Sequence, residues 1–478
     1  MHSSSLTASI HVLDDDSLLN VFCLYRPFLL GEDDDENVRL FGGLGQWWRG
    51  RWWYNLAHVC QRWRNVILGS AVYLDVSLVC TNGTPVADML AHSPPLPLVI
   101  DYSLYIYNEF TAEDEEGAIL ALKRYDRIRR VRLHMPPTSL QTFIVAMDEE
   151  YPILEYLIVW HSGEDKTTNL TFPKTLQAPR LHHLLSSFAP PIGSRLLTTA
   201  LGLITLCLII VNPSTYFQPN TLLQWLSFMP HLKTLMINFL FPDCNDHVGG
   251  QLMHTAITTP VTLHNLRRFR FRGVTAYLEA LLYRLSAPRL EKFEIGFPNQ
   301  LTFSVPCLLQ FVNSTESLRF GFAKFEFSNN VVDVEVYPHE EAETYSLSIT
   351  ADCDHLDWQV SSAARIFDAA SPVFFAVEHL TLEHEVHDRS FEEHNEARLA
   401  EWRKILSSFG NVKTLRVATG LVKEVSRCLQ LDNGELPLGL LPELQELTYS
   451  EGGNNGDAFT TFVDARQEAG RPITLVRL

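Results

Sequence analysis

The stretch MPHLKTLMI, residues 229–237, carries the pattern that decides the fold: a proline-marked turn, a leucine, two other residues, a second leucine, one residue and an isoleucine. Leu235 and Ile237 stand two apart, as side chains sharing one face of a strand must, and Leu232 sits three positions earlier at the turn that feeds it. Pro230 cannot continue a helix and pushes the residue before it towards extended backbone, so the chain separates here into a helix that ends and a strand that begins. With Ile, Val, Phe or Tyr allowed at the apolar places, further copies start at Ile128, Leu154, Leu203, Leu266, Leu290, Val377, Val412 and Leu444, and weaker ones at Leu181, Thr315 and Thr344. The twelve starts run from 128 to 444 with a mean spacing of about 29 residues.

The turn recurs with the motif. Pro179, Pro288 and Pro442 each stand two residues before the first leucine of a copy, as Pro230 does. Helical stretches precede several copies, at 113–127, 221–228, 277–285 and 392–409. Helix, turn and strand in one repeating order predict an α/β fold with parallel strands and crossover helices, stacked because no single unit buries its apolar face alone. This pattern resembles leucine-rich repeats, and the resemblance implies a solenoid over 128–478 whose strands line a concave, partner-binding face. Residues 318–349 fit least: Phe320, Phe322, Phe325 and Phe327, then Val332, Val334 and Val336, then Leu347 and Ile349 form three period-two runs with no helix between them. The expectation there is extended connections in place of helices.

Towards the N-terminus, YNLAHVCQRWR (residues 54–64) changes the period. Leu56, Val59, Cys60, Trp63, Val66 and Ile67 fall on one face of a single amphipathic helix, with Gln61, Arg62, Arg64 and Asn65 largely off it. Upstream, LDDDSLLNVFCLY (residues 13–25) offers Leu13, Leu18, Leu19, Val21 and Phe22 on a helix whose start Asp14, Asp15, Asp16 and Ser17 are suited to cap. Together these blocks resemble an F-box, with Asp14 where that family usually has proline, and the segments up to residue 102 are similar to F-box proteins common in mushroom-forming basidiomycete fungi. The resemblance implies a helical F-box domain at 10–70, connecting strands and a first helix at 71–127, and the repeats beyond. It also implies that Leu13, Leu18, Leu19, Val21, Phe22, Leu56, Val59, Cys60 and Trp63 divide between holding the small domain together and meeting a Skp-type linker, which joins a cullin. The loop at 26–52, with its acidic run 32–36 and Trp47, Trp48 and Trp52, is long for such a domain and reads as either a disordered insertion or an added contact surface; Trp53 follows it directly.

Composition agrees with a folded, core-forming chain: 478 residues, 46% hydrophobic and 20% charged. The length exceeds what one compact core serves. A formal net charge of −18 with no Lys/Arg cluster argues against nucleic acid as a partner. The eight cysteines are scattered without a CxxC pair, and residues 1–16 lack a secretory pattern, so a cytoplasmic or nuclear location is expected and the sequons at Asn82, Asn169 and Asn313 carry little weight. Residues 196–211 are apolar, but sixteen residues fall short of the roughly twenty a membrane span needs, so a buried strand is expected.

The glycines at 42–45 lack a phosphate-loop spacing, and EGGNNGD at 451–457 reads as a turn before a final helix. His379, His384, His387 and His394 with Glu383, Glu385 and Asp388 lack the HExxH arrangement. No catalytic, metal or cofactor site is therefore expected. The F-box and repeat resemblances together imply a non-catalytic adaptor of an SCF-type ubiquitin ligase, holding an unidentified substrate protein; the alternative is a repeat scaffold not coupled to ubiquitination.

Overall fold

The computed structural model describes residues 13–25, 51–103, 110–161, 170–212, 216–240, 260–298, 304–328, 330–353, 356–384, 396–430, 439–450 and 458–478. It forms two compact units, Met1–Leu203 and Ile204–Leu478. Each is α/β with mostly parallel strands and intervening helices.

The first unit opens with helices α1 (Asp15–Tyr25), α2 (Trp52–Ala57) and α3 (Gln61–Gly69). Asp14 caps α1, its Oδ1 accepting from the Ser17 N–H at 2.6 Å, as the acidic start suggested. The single helix expected through 56–67 is instead two. Cys60 has extended backbone (φ −161°, ψ 169°) and its Sγ accepts from the Trp63 N–H at 3.5 Å, so it caps α3 rather than continuing α2. Arg64 Nε closes the other side of the break by donating to the Ala57 carbonyl at 3.1 Å.

Five parallel strands follow in chain order: β1 (Leu78–Cys80), β2 (Leu98–Ser103), β3 (Ile128–Met135), β4 (Tyr156–His161) and β5 (His183–Ser186). The motif leucines line one face: Leu133, Leu157 and Leu184 are fully buried. Between β1 and β2 lies α4 (Val86–His92), and between β2 and β3 lies α5 (Ala112–Leu122), opened by a capping box in which Thr111 and Asp114 satisfy each other's backbone N–H groups. After β3, α6 (Pro137–Ala146) begins on proline, whose missing N–H costs nothing in a first turn.

The second unit contains β6 (Thr205–Ile210), β7 (Thr234–Phe239), β8 (Val261–Thr262), β9 (Arg268–Arg272), β10 (Leu285–Ser286), β11 (Lys292–Phe297), β12 (Phe322–Phe327), β13 (Val331–Tyr337), β14 (Leu347–Asp352), β15 (His379–His384), β16 (Thr414–Val417), β17 (Glu446–Tyr449) and β18 (Thr474–Arg477). Strands β8 and β10 form a separate parallel pair; the others lie in the order β6-β7-β9-β11-β14-β13-β12-β15-β16-β17-β18. Strand entry repeats its hydrogen bonds: Lys233, Arg267 and Glu291 donate to the carbonyls of Ile204, Lys233 and Arg267, respectively, all at 2.8 Å. Helices Pro219–Leu226, Thr275–Leu282, Pro306–Ser314, Leu356–Phe374, Glu396–Ser407 and Val422–Leu429 pack in succession. The Glu279 carboxylate on one helix accepts from the Cys307 and Leu308 N–H groups that open the next, at 2.8 and 2.9 Å.

Eleven of the twelve motif copies form strands, the weaker ones at Leu181 and Thr344 included. The copy at Thr315 does not. Thr315 Oγ1 donates to the Phe311 carbonyl at 2.7 Å and the Leu318 N–H to the Thr315 carbonyl at 3.2 Å, so the chain is still turning off a helix and β12 starts only at Phe322. The irregular region is a hairpin: β12 pairs antiparallel with β13, and β13 with β14, while β12 and β14 rejoin parallel neighbours. Residues 196–211 contain β6, with Leu206 and Leu208 fully buried, and among the described residues no helix is long and apolar enough to cross a membrane.

Candidate functional site

Two surfaces carry the residues from which partner contacts were expected. On the first, α1 and α3 meet through the Phe22 and Trp63 rings, edge to face at 5.1 Å, and Arg62 ties the pair by donating to Asp15 Oδ1 and the Leu13 carbonyl. Leu18 and Phe22 are fully buried and hold the helices together. Leu19, Leu56, Cys60 and Trp63 are half-buried, and Leu13, Val21 and Val59 are exposed. What remains open is an apolar stripe one helical turn long: Val21 is 42% exposed, Leu24 88% and Tyr25 58%, at positions i, i+3 and i+4 of α1, while Val59 in the α2–α3 turn is 57% exposed. Sequence reasoning did not name Leu24 or Tyr25; the spacing from Val21 was the signal that could have found them.

Part of the long loop is put to structural use. Arg51 Nη2 donates to the Val79 carbonyl at 3.3 Å, and Trp53 Nε1 to the Ser77 carbonyl at 3.1 Å, covering carbonyls along the β1 edge. Trp53 is buried, and Trp52 lies 6.5 Å from the Tyr25 ring. The acidic run 32–36, Trp47, Trp48 and the glycines at 42–45 lie outside the described residues.

The second surface is the strand face turned away from the core. In the first unit it carries Asp101, Arg132 and Ile158 in register, with the Tyr156 and His183 rings stacked at 4.4 Å. Burial pushes the Asp101 carboxyl up to about 6 against the pull of Arg132, and pushes His134 down to about 4, with Arg132 and His161 adding to the effect. In the second unit, taken by itself, the strand face turned away from its core carries Arg270 and Arg272, paired with Glu294 at 3.2 Å and Asp352 at 2.5 Å, then the charged side chains of β12, β13 and β15.

A cavity of about 770 Å³ in the first unit lies between the 82–88 segment and the start of α5. Its Asp114 carboxylate is taken up by the Gly83 N–H at 2.6 Å and by Thr111, so it serves to join the two segments. Among the described residues no group of three His, Cys, Asp or Glu could hold a metal ion. His379 Nδ1 meets Thr414 Oγ1 at 2.6 Å, Glu383 pairs with Lys324 at 2.8 Å, and burial lowers the His384 pKa below its ordinary value. Glu385, His387, Asp388, His394 and the turn 451–457 lie outside the described residues. No family model matches the chain, and no curated protein matches it.

Proposed function

We propose that this chain is a non-catalytic substrate adaptor of an SCF-type ubiquitin ligase. In this reading residues 10–70 are the F-box, the repeats form a leucine-rich-repeat-like solenoid, and both work in the cytoplasm or nucleus. The observation that carries the reading is the stripe of Val21, Leu24 and Tyr25, left in water by helices whose own core is closed by Leu18, Phe22 and Trp63. An apolar stripe on a helix that the fold does not bury is what a partner buries. A Skp-type linker would cover it and bring a cullin, while the outward strand faces would hold the substrate protein. The chain's contribution is then proximity: a tethered lysine meets the loaded ubiquitin at a raised effective concentration.

The test is co-purification of the full chain with a Skp-type linker. A stable complex at micromolar concentration is expected. Its absence would favour the alternative, a repeat scaffold that binds proteins without coupling them to ubiquitination.

A further inference from the structure

The outer face of the hairpin sets acid against acid. Glu326 of β12 stands in register with Asp333 of β13 on one side and with Glu383 of β15 on the other. Like charges directly opposite each other destabilise a sheet. Lys324, in register with Glu335, is drawn away from it to Glu326 at 3.0 Å and Glu383 at 2.8 Å. Asp333 is left with the Ser348 and Thr350 hydroxyls, at 3.3 and 3.2 Å, and Glu335 with the Tyr337 hydroxyl at 2.6 Å. Among the described residues neither carboxylate has a cationic partner. Burial, Glu335 and then Glu326 raise the Asp333 carboxyl above its ordinary value, the two hydroxyls only partly opposing them.

The same face also shows how it holds an ammonium group. Lys292 Nζ lies 4.2 Å from the Tyr345 ring centroid and 3.1 Å from Glu294. An aromatic row continues from there, with Tyr345 to Tyr337 at 6.2 Å and Tyr337 to Phe322 at 5.6 Å, so Tyr337 stands next to Glu335 as Tyr345 stands next to Glu294. One of these two aromatic and carboxylate arrangements is filled by the chain's own lysine; the other is not.

We propose that the outer face of β12 and β13 docks an extended, lysine- or arginine-bearing segment of a partner protein, its cations over Asp333 and Glu335 and their aliphatic stems along Tyr337 and Phe322. This deepens the adaptor reading of the strand face and rests on it. Asp333 and Glu335 are two residues apart on one strand, roughly 6.7 Å, which is also the spacing of same-face side chains in an extended peptide. A segment with basic residues at i and i+2 therefore matches both. Nucleic acid, being anionic, is repelled.

The experiment titrates the full chain with two fluorescent peptides, one alternating Lys and Thr and one alternating Glu and Thr, at low and high salt. The basic peptide binds the wild type, at least tenfold more weakly the variant Asp333→Asn/Glu335→Gln, and more weakly in salt; the acidic peptide does not bind. Equal binding to the variant, equal binding of the acidic peptide, or no binding of the basic peptide to the wild type overturns the proposal. Removing like charges does not unfold a sheet, so the variant's thermal transition should stay at or above that of the wild type; a fall assigns the carboxylates a structural role and also overturns it. Linker capture, measured on the same samples, separates the two readings. Capture lost with peptide binding kept refutes the adaptor alone, and peptide binding lost with capture kept refutes the docking site alone.

Discussion

The run from β6 to β11 and the hairpin β12–β13 bury the same kind of face by different routes. In the first, helices Pro219–Leu226 and Thr275–Leu282 carry the chain from β6 to β7 and from β9 towards β11, and Leu206, Leu235, Phe269 and Phe293 stack in register. In the second, Ala323, Phe325, Phe327, Val332, Val334 and Val336 are equally buried with no helix between the strands. Alternation alone therefore fixes which face is core, and the crossover helix is one of two ways to reach it. The outer faces differ more. Between β9 and β11 Arg270 meets Glu294 while Lys292 stands opposite Arg268, whereas on the hairpin Lys324 stands opposite Glu335 and Glu326 meets Asp333 on one side and Glu383 on the other. The hairpin's excess is of carboxylates, a cost that a cationic partner would relieve.

Substitutions should widen or collapse that contrast. The largest effect is expected in the regular run: Phe271 is fully buried against Phe239 and Tyr277, so Phe271→Ala should cost about 3–5 kcal/mol in denaturant unfolding. Val334→Ala in the hairpin removes two methyl groups and should cost only about 2 kcal/mol, and equal costs would remove the distinction in core packing. Next comes Gly321, where an added Cβ would overlap the Pro338 carbonyl oxygen; Gly321→Ala should cost about 1–3 kcal/mol, and a neutral result would show that the hairpin's return is slack. On the outer face the sign reverses. Asp333→Asn, which keeps an acceptor for Ser348 and Thr350, should stabilise by about 0.2–1 kcal/mol, while Glu294→Gln in the regular run should not.

A further effect concerns pH. Folded Asp101 holds its proton up to about 6, above the 3.8 of an unperturbed aspartate, so the folded state takes up this proton first as pH falls. The group thus adds stability between about pH 6 and 3.8 that is absent above that window. Wild type should gain relative to Asp101→Asn between pH 7 and pH 4.5, and a difference that does not change with pH would contradict the burial of that carboxylate.

Much of this was legible in the residues. The L-x-x-L-x-L places became strands because period-two apolar pairs have only one way to share a buried face, and the prolines marked where helices stop. The copy at Thr315 was not separable by pattern, since its hydroxyl turns the chain through a hydrogen bond that spacing does not encode. The break at Cys60 was hidden for the same reason: residues 56–67 keep a helical period across two helices that Cys60 and Arg64 separate. The division of the docking residues depends on which helix covers which, so Phe22 and Leu24 look alike until α3 is placed against one of them. The charges of the hairpin could be read off KFEF and VVDVEVY, but their opposition depends on register, which only the pairing reveals.

The central claim is that the open stripe on α1 is a docking surface distinct in role from the hairpin face. The most direct measurement is a calorimetric titration of a purified Skp-type linker into the full chain, its Leu24→Asp variant and its Asp333→Asn/Glu335→Gln variant. The wild type should bind at micromolar affinity or tighter. Leu24→Asp should weaken binding by about thirtyfold or more, the 2 kcal/mol of an interface hot spot, with an unchanged thermal transition because Leu24 makes no part of the core. The hairpin variant should bind the linker as the wild type does. Linker binding that is indifferent to Leu24→Asp, or absent from the wild type, would contradict the account.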